Sequence, residues 1–369
     1  MKRLLLAGGG HAHVHVLAAL ARAPLAGAEV TLVTPFLRQM YSGMLPGWVA
    51  GHYALDQIVI PLPALAAAAG VRLVEGRIVA LDAAARRATL ADGRVLDYAL
   101  LSLDTGPVMD RDLIPGARAH ALFLRPVEHF AAQFEQLLAR AARTPLDLAV
   151  VGGGAAGVEV ALALAWRLQQ MGSASRLSLV SGAEGPLAGF AEGVQRPVQR
   201  ALQARRVTLL PQDCQRIQSG WLTLTGGTRL ACDMPLLAIG TSAPAWLRGS
   251  GLALDERGFV ATGPTLQSLS HPEVFAAGDV ATRNDAPHPK SGVYAVRAGP
   301  PLALNLQHAM AGEALQPYTP QRRTLYLLST GAKHAVASWG PWSTAGRWVW
   351  WWKDHIDRRF VARYTGARR

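Results

Sequence analysis

LLLAGGGHAHVHVL, residues 4–17, runs an apolar stretch into three glycines and then sets histidines at alternate positions, His11, His13 and His15. Two ligands compete for such a segment. Imidazoles suit a metal ion, and His11 and His15 are four apart, so a helix puts them on one face. His13 would point elsewhere, and no acidic or cysteine ligand stands close by in sequence to complete a site. Glycines between a strand and a helix suit a phosphate instead, because a tight turn offers backbone amides and the positive helix end favours an anion. That helix end also disfavours imidazolium, so the histidines are expected to be neutral, with one of them bonding a phosphate or ribose. We read the segment as a phosphate cradle and expect no metal site.

The segment has a second copy, LAVVGGGAAGVEVALAL at residues 148–164, which aligns with residues 4–20 when Gly8 is set on Gly152. Both copies predict strand, glycine turn and small-residue helix, the strands at Leu4–Ala7 and Leu148–Val151. In the second copy Gly152, Gly154 and Gly157 complete G-x-G-x-x-G in the context that the motif requires. The first glycine permits the tight turn, the second lets a diphosphate approach, and the third lets helix and sheet touch. The first copy keeps Gly8 and Gly10 but has His13 at the third position. Each half would ordinarily carry an acid about 20 residues further on for a ribose 2′-hydroxyl. The strand ends offer Thr34 and Ser181 instead, hydroxyls that bond a ribose more weakly than a carboxylate.

The 369 residues are half hydrophobic, enough for two or three cored domains. Two cysteines, Cys214 and Cys232, lack C-x-x-C spacing and read as small buried hydrophobes. The N-terminal apolar run stops at the glycine turn, short of a secretory core, and no 18-residue apolar stretch comes after it. A cytoplasmic location is therefore expected. Val71–Gly106 reads as a β-meander with an Asp92-Gly93 turn and then a buried strand. His271–Ala281 reads as a strand ending in Gly278-Asp279, where the carboxylate needs hydroxyl or amide partners.

These motifs, in this order, resemble the pyridine nucleotide-disulfide oxidoreductase superfamily over residues 1–310. The resemblance implies an α/β fold of two Rossmann-like, FAD- and NAD(P)-binding three-layer domains with β-meander insertions and a small C-terminal region. Residues 1–125 and 255–310 would form the FAD-binding domain, 126–254 the NAD(P)H-binding domain, and 311–369 the C-terminal region. It further implies FAD at the first turn (Gly8, Gly10, His11, Ala12, His13, with Thr34), a closing motif at Thr105-Gly106, and Gly278-Asp279 on the ribityl chain. NADH or NADPH would lie at the second turn (Gly152, Gly154, Gly157, with Ser181 and Gly240). Tyr41–Tyr53, Pro289–Leu306 and Gly346–Phe360 are similar to type II NADH dehydrogenases, and most similar to the flavoprotein module fused ahead of selenide, water dikinase in some bacteria. The disulfide members' C-x4-C pair is missing, since Tyr41–Gly51 holds no cysteine, so dithiol chemistry is excluded.

The function implied is an FAD-dependent oxidoreductase taking hydride from NAD(P)H and passing electrons to a quinone or other small acceptor. Tyr41 and Met44 would meet the flavin ring or sit in the core. Ser291 and Gly292 would open a helix toward the ring's electron-rich edge, with Lys290 adding charge or merely facing solvent. Glu159 would orient the nicotinamide, manage a proton, or simply favour the helix dipole. A flavoprotein partner of selenide, water dikinase and a non-catalytic nucleotide sensor are the alternatives.

The tail stands apart. Between Arg322 and Arg369 ten Lys/Arg face two acids, so 10 minus 2 gives +8 of the chain's net +12. Val349, Trp352, Ile356 and Phe360 fall at helical spacing among bases. Such a helix either packs on the body or lies on the inner face of a membrane, where tryptophan beside arginine suits the headgroup region. Its bulky apolar stripe argues against nucleic acid.

Overall fold

The computed structural model describes residues 2–366. Ten of its strands build two parallel sheets: β1 (Lys2–Ala7), β2 (Ala28–Thr34), β3 (Arg72–Glu75), β4 (Leu100–Leu103), β5 (Leu122–Phe123), β6 (Asp147–Val151), β7 (Arg176–Val180), β8 (Thr208–Leu210), β9 (Met234–Leu237) and β10 (Val274–Ala276). The first sheet runs β10-β4-β1-β2-β3 and the second β5-β9-β6-β7-β8, every neighbour parallel. Both faces of such sheets are covered, which is why Leu4–Ala7 and Leu148–Val151 are apolar without alternation and buried throughout.

Four helices frame the glycine turns and their surroundings: α1 (His11–Arg22), α2 (Ala155–Gln170), α3 (Gly292–Ala311) and α4 (Arg347–Thr365). α1 and α2 are the crossovers leaving β1 and β6. α3 packs closely on α1, where a Cβ on Gly299 would lie 2.7 Å from the Cβ of His15. The expected meander forms as an antiparallel sheet of Ile78–Asp82, Arg87–Leu90 and Val95–Asp97, although Arg72–Glu75 joins the parallel sheet as β3. Two more three-stranded antiparallel sheets lie at 214–231 and 325–346. The expected boundary after residue 125 needs correction, because β5 pairs with β9 and so belongs to the second sheet.

In each sheet the chain moves outward from one strand and then returns to its other side: from β1 through β2 and β3 back to β4, and from β6 through β7 and β8 back to β9. At such a switch point successive crossovers lie on opposite faces and leave a crevice beyond the strand ends. Gly8 and Gly152 stand at those ends.

Candidate functional site

The first turn is built around one residue that the motifs did not single out. Asp104, just beyond β4 and 3% exposed, accepts the amide N–H groups of Ala12 (2.8 Å) and His13 (2.9 Å) through Oδ2. It thus caps α1, whose first amides have no partner inside the helix. Gly8 adopts φ +96°, and a Cβ there would lie 2.4 Å from the Asp104 carbonyl oxygen. A Cβ on Gly10 would sit 2.4 Å from the Asp104 carboxyl carbon, and one on Gly278 would sit 2.6 Å from Oδ1. Three motif glycines therefore make room for this aspartate. The amides of Gly9 and His11 keep no acceptor among the described residues.

The histidines go three separate ways. His13 is fully buried; its Nδ1 is 2.6 Å from the Gly8 carbonyl and its Nε2 2.8 Å from Ser102 Oγ. A carbonyl only accepts, so Nδ1 carries the proton and Ser102 donates to Nε2. Both ring nitrogens are used, which corrects the expectation that His13 bonds a cofactor: its ring fills the place of the third glycine. The Ala12 amide is likewise taken by Asp104. His11 lies against Tyr41 and Phe360, with Nε2 buried and unpartnered, and His15 reaches Tyr364 Oη at 3.1 Å. Burial holds all three near pKa 4, so they are neutral at pH 7.

Asp279 follows β10 beside Asp104. Burial raises both carboxyls, Asp104 well above the usual range, and the Asp279 charge raises Asp104 further. Arg125 at 3.9 Å, Lys290, His288 and the Ser291 amide pull Asp279 back down. Lys290 itself is committed elsewhere. Its ammonium donates to the Ala281 carbonyl and to Thr282 Oγ1 (2.7 Å), and lies 3.9 Å from the centre of the Phe259 ring. Burial lowers it to about 8. Of the two expectations for Lys290, that it merely faces solvent is corrected by these partners, while its charge acts on Asp279. Ser291 stands at the N-cap of α3 without a side-chain bond to the helix, and the Gly292 and Val293 amides find no acceptor among the described residues. Thr34 turns its hydroxyl onto the Phe36 carbonyl at 3.1 Å. Thr105 is exposed, and Gly106 opens the segment whose Val108 pairs with Ser242, two residues past Gly240.

The second turn repeats the backbone without the acid. Gly152 has φ +130°, and a Cβ there would meet the Ala238 carbonyl oxygen at 2.3 Å. A Cβ on Gly157 would meet the Gly152 carbonyl oxygen at 2.0 Å, the close helix–sheet approach for which the third glycine exists. Nothing lies within 4 Å of a Cβ on Gly154. The amides of Gly154, Ala155, Ala156 and Gly157 find no acceptor among the described residues. The Ser181 hydroxyl makes only long contacts, 3.4 Å, to the Gly182 and Leu210 carbonyls among the described residues.

A third group joins distant segments. Tyr41 stacks on Phe360 of α4 at 4.4 Å. Lys353 donates to the Gly43 carbonyl and to Asp357 Oδ2, each at 2.7 Å. Glu159, on α2, accepts the Ser329 amide at 2.8 Å; burial raises it to about 7 against the pull of Lys353. Burial opposes the Lys353 charge, but Asp357 and Glu159 outweigh it and hold its pKa above the ordinary value. Met44 is completely buried. The expected apolar face of α4 divides: Val349 and Phe360 are buried, while Trp352 and Ile356 point outward with Trp348 and Trp351. Lys353, Ser329 and Asp104 were missed because they have partners far away in sequence (Gly43, Glu159 and Ala12), and Asp357 because only that setting gives its i,i+4 pair with Lys353 a place in the site; only the "DTG" triplet hinted at Asp104.

Comparison with known proteins fits this geometry. A NADH dehydrogenase-like protein of Mycobacterium tuberculosis is 30% identical over 243 residues, 62% of this chain and 60% of that protein. The match thus spans less than two thirds of that relative's length. Demethylphylloquinone reductase of Synechocystis is 25% identical over 348 residues, 89% of this chain and 85% of the relative. The fold is that of NDH2 from Plasmodium falciparum in complex with NADH, at TM-score 0.81 and 12% identity over 98% of this chain and 97% of that one. The model of the pyridine nucleotide-disulphide oxidoreductases matches residues 2–299, from β1 through both glycine turns and into α3. With turns, switch points and family model in agreement, the chain belongs to the pyridine nucleotide-disulphide oxidoreductase family, without a cysteine pair beside its first turn.

Proposed function

We propose that the chain is an FAD-dependent NAD(P)H oxidoreductase, holding FAD at the first turn and NAD(P)H at the second, and reducing a quinone or another small acceptor without a redox disulfide. One observation carries the reading. Each parallel sheet opens a helix from a glycine turn at its switch point, and each turn leaves amides without a protein acceptor. Those amides fit diphosphates. Gly9 and His11 would hold that of FAD, Asp279 its ribityl hydroxyls, and Gly292 and Val293 the electron-rich edge of its ring. Gly154 to Gly157 would hold that of the nicotinamide nucleotide. Bound FAD supplies two-electron chemistry between donor and acceptor. The relatives named a NADH dehydrogenase-like protein and a demethylphylloquinone reductase support this choice of donor and acceptor.

The chain's own groups do the rest. Glu159, near pKa 7 beside Lys353, holds or releases a proton at neutral pH. Tyr41 and Phe360 close an aromatic wall over His11 and keep water from the buried side. We assign the outward face of α4, with Trp348, Trp351, Trp352 and Ile356 among arginines, to the cytoplasmic surface of an anionic membrane, where each base near the leaflet contributes about 1 kcal/mol. No helix among the described residues is long and apolar enough to cross a membrane. Sedimentation with anionic vesicles, lost at high salt, checks this assignment.

The decisive experiment is an anaerobic spectrum. The purified protein is expected to be yellow, to bleach with NADH or NADPH, and to recover its colour on addition of a quinone. A flavin that stays oxidised with both donors rejects the donor assignment. Binding of both nucleotides without turnover makes the protein a sensor. One observation favours a second reading. The three segments resembling the selenide, water dikinase-fused module meet around Tyr41, through the Phe360 stack, the Lys353 bond to Gly43 and the 3.5 Å approach of Ser42 to a Cβ on Gly292. Co-purification with that kinase, combined with indifference to quinone, would favour a flavoprotein partner.

A further inference from the structure

Asp104 is the buried ionisable group that the proposed reaction leaves unused. Oδ2 is committed to the two amides of α1, whereas Oδ1 has no hydrogen-bond partner among the described residues and faces Gly278. Around it stand Asp279 on the segment after β10, and His13 and His11 on α1. Both imidazoles are neutral, and His13 has spent both nitrogens on Gly8 and Ser102. Arg125 stands 3.9 Å from Asp279 and its charge also acts on His11. Lys290 is bonded to Ala281 and Thr282. A diphosphate arriving at the Gly9 and His11 amides would add its charges to two carboxylates, of which Asp279 has cations acting on it and Asp104 is held by amides alone. Like charges crowded in a poorly solvated site cannot all stay ionised.

We propose that the Asp104–Asp279 pair carries a proton whenever a dinucleotide's diphosphate occupies the first turn, with Asp104 then donating a hydrogen bond through Oδ1. The inference rests on the FAD reading of that turn. Asp104 is a positioning residue here: ionised it caps α1, and protonated it keeps both amides on Oδ2 while gaining a donor. Cofactor retention then depends on pH. It is full below the titration of the empty turn, weakens as pH rises from there to the titration of the bound form, and levels off above it. Burial already raises both acids before any diphosphate arrives, which favours the protonated pair.

Two measurements on the flavin-loaded protein test this. Infrared spectra at pH 8 are expected to show the carbonyl stretch of a protonated carboxylic acid that persists in Glu159→Gln and vanishes in Asp104→Asn. The free flavin in equilibrium with the loaded protein should rise by up to about tenfold per pH unit between the titrations of the empty and the loaded forms, and stay flat in Asp104→Asn, whose amide keeps a neutral donor in place. Absence of the acid band, or the same pH slope in both proteins, overturns the proposal. If Asp104→Asn fails to fold, the band in the wild type and in Glu159→Gln still decides. A chain that takes up no flavin at all overturns the cofactor reading and this inference with it; flavin uptake without the acid band overturns the inference alone.

Discussion

The two glycine turns share a backbone and differ in what satisfies it. Strand register makes the positions equivalent, since Ala7 pairs with Leu103 and Val151 with Leu237. Asp104 therefore corresponds to Ala238, Ser102 to Leu236, His13 to Gly157 and His15 to Glu159. In the first half a carboxylate caps the helix and a histidine–serine pair fills the place of the third glycine. In the second the same volumes are occupied by alanine, leucine and glycine, and the helix start is left open. A helix N-terminus can be satisfied by the protein or left for a ligand, and a motif that counts glycines does not distinguish the two.

The sharpest break in this comparison is Gly8→Ala against Gly154→Ala. The first combines a left-handed backbone with a 2.4 Å clash and should cost about 4 kcal/mol. The second meets nothing within 4 Å, should change stability by under about 0.5 kcal/mol, and should show its effect in nicotinamide nucleotide affinity. Urea unfolding and nucleotide titration separate these outcomes; equal destabilisation would mean that the open turn is not open.

Acid lability comes next. His13 folds with a pKa near 4 against about 6.5 unfolded, so the native state binds fewer protons. Its contribution is present above 6.5 and lost as pH falls toward 4, up to about 3 kcal/mol. Copying the second half by His13→Gly with Ser102→Leu should flatten unfolding midpoints between pH 7 and pH 4.5. An unchanged acid limb would show that the buried imidazole is not its cause.

Ala238→Asp makes the converse exchange. It sets an internal anion at the second helix start and should weaken NADH binding about tenfold while flavin content stays constant. Unaltered NADH affinity would place the nucleotide's diphosphate away from α2.

The smallest effect has the opposite sign in pH. Glu159 folds near 7, above its ordinary carboxyl value, so it favours the folded state below about 4.5 and loses that advantage as pH rises to 7. Because the side chain keeps some solvent contact, Glu159→Gln should recover only about 1 kcal/mol at pH 8 relative to pH 5. Unfolding curves at the two pH values measure it.

Much of the fold was legible because its signals are local. Apolar runs of four or five residues, glycine turns and small-residue helices announce β1–α1 and β6–α2 within twenty residues of sequence. The strand carrying Gly278-Asp279 could be read in the same way, and the structure brings it to the first turn. Other expectations failed for a common reason. Lys290 was read as adding charge at a helix start or merely facing solvent, and it is bonded to Ala281 and Thr282. The stripe on α4 was read as a single face, yet Val349 and Phe360 go inward while Trp352 and Ile356 remain outside. Periodicity states that a face exists, and packing decides which side the body covers.

What the sequence determined alone is therefore the pair of βαβ turns and their duplication, since turn stereochemistry and strand hydrophobicity act over a few bonds. What only the tertiary structure decided is who satisfies each turn: Asp104 reaches Ala12 across 92 residues, and Lys353 reaches Gly43 across 310. Hydrogen bonds and buried charges are settled by distance in space, and chain order carries that distance only between near neighbours.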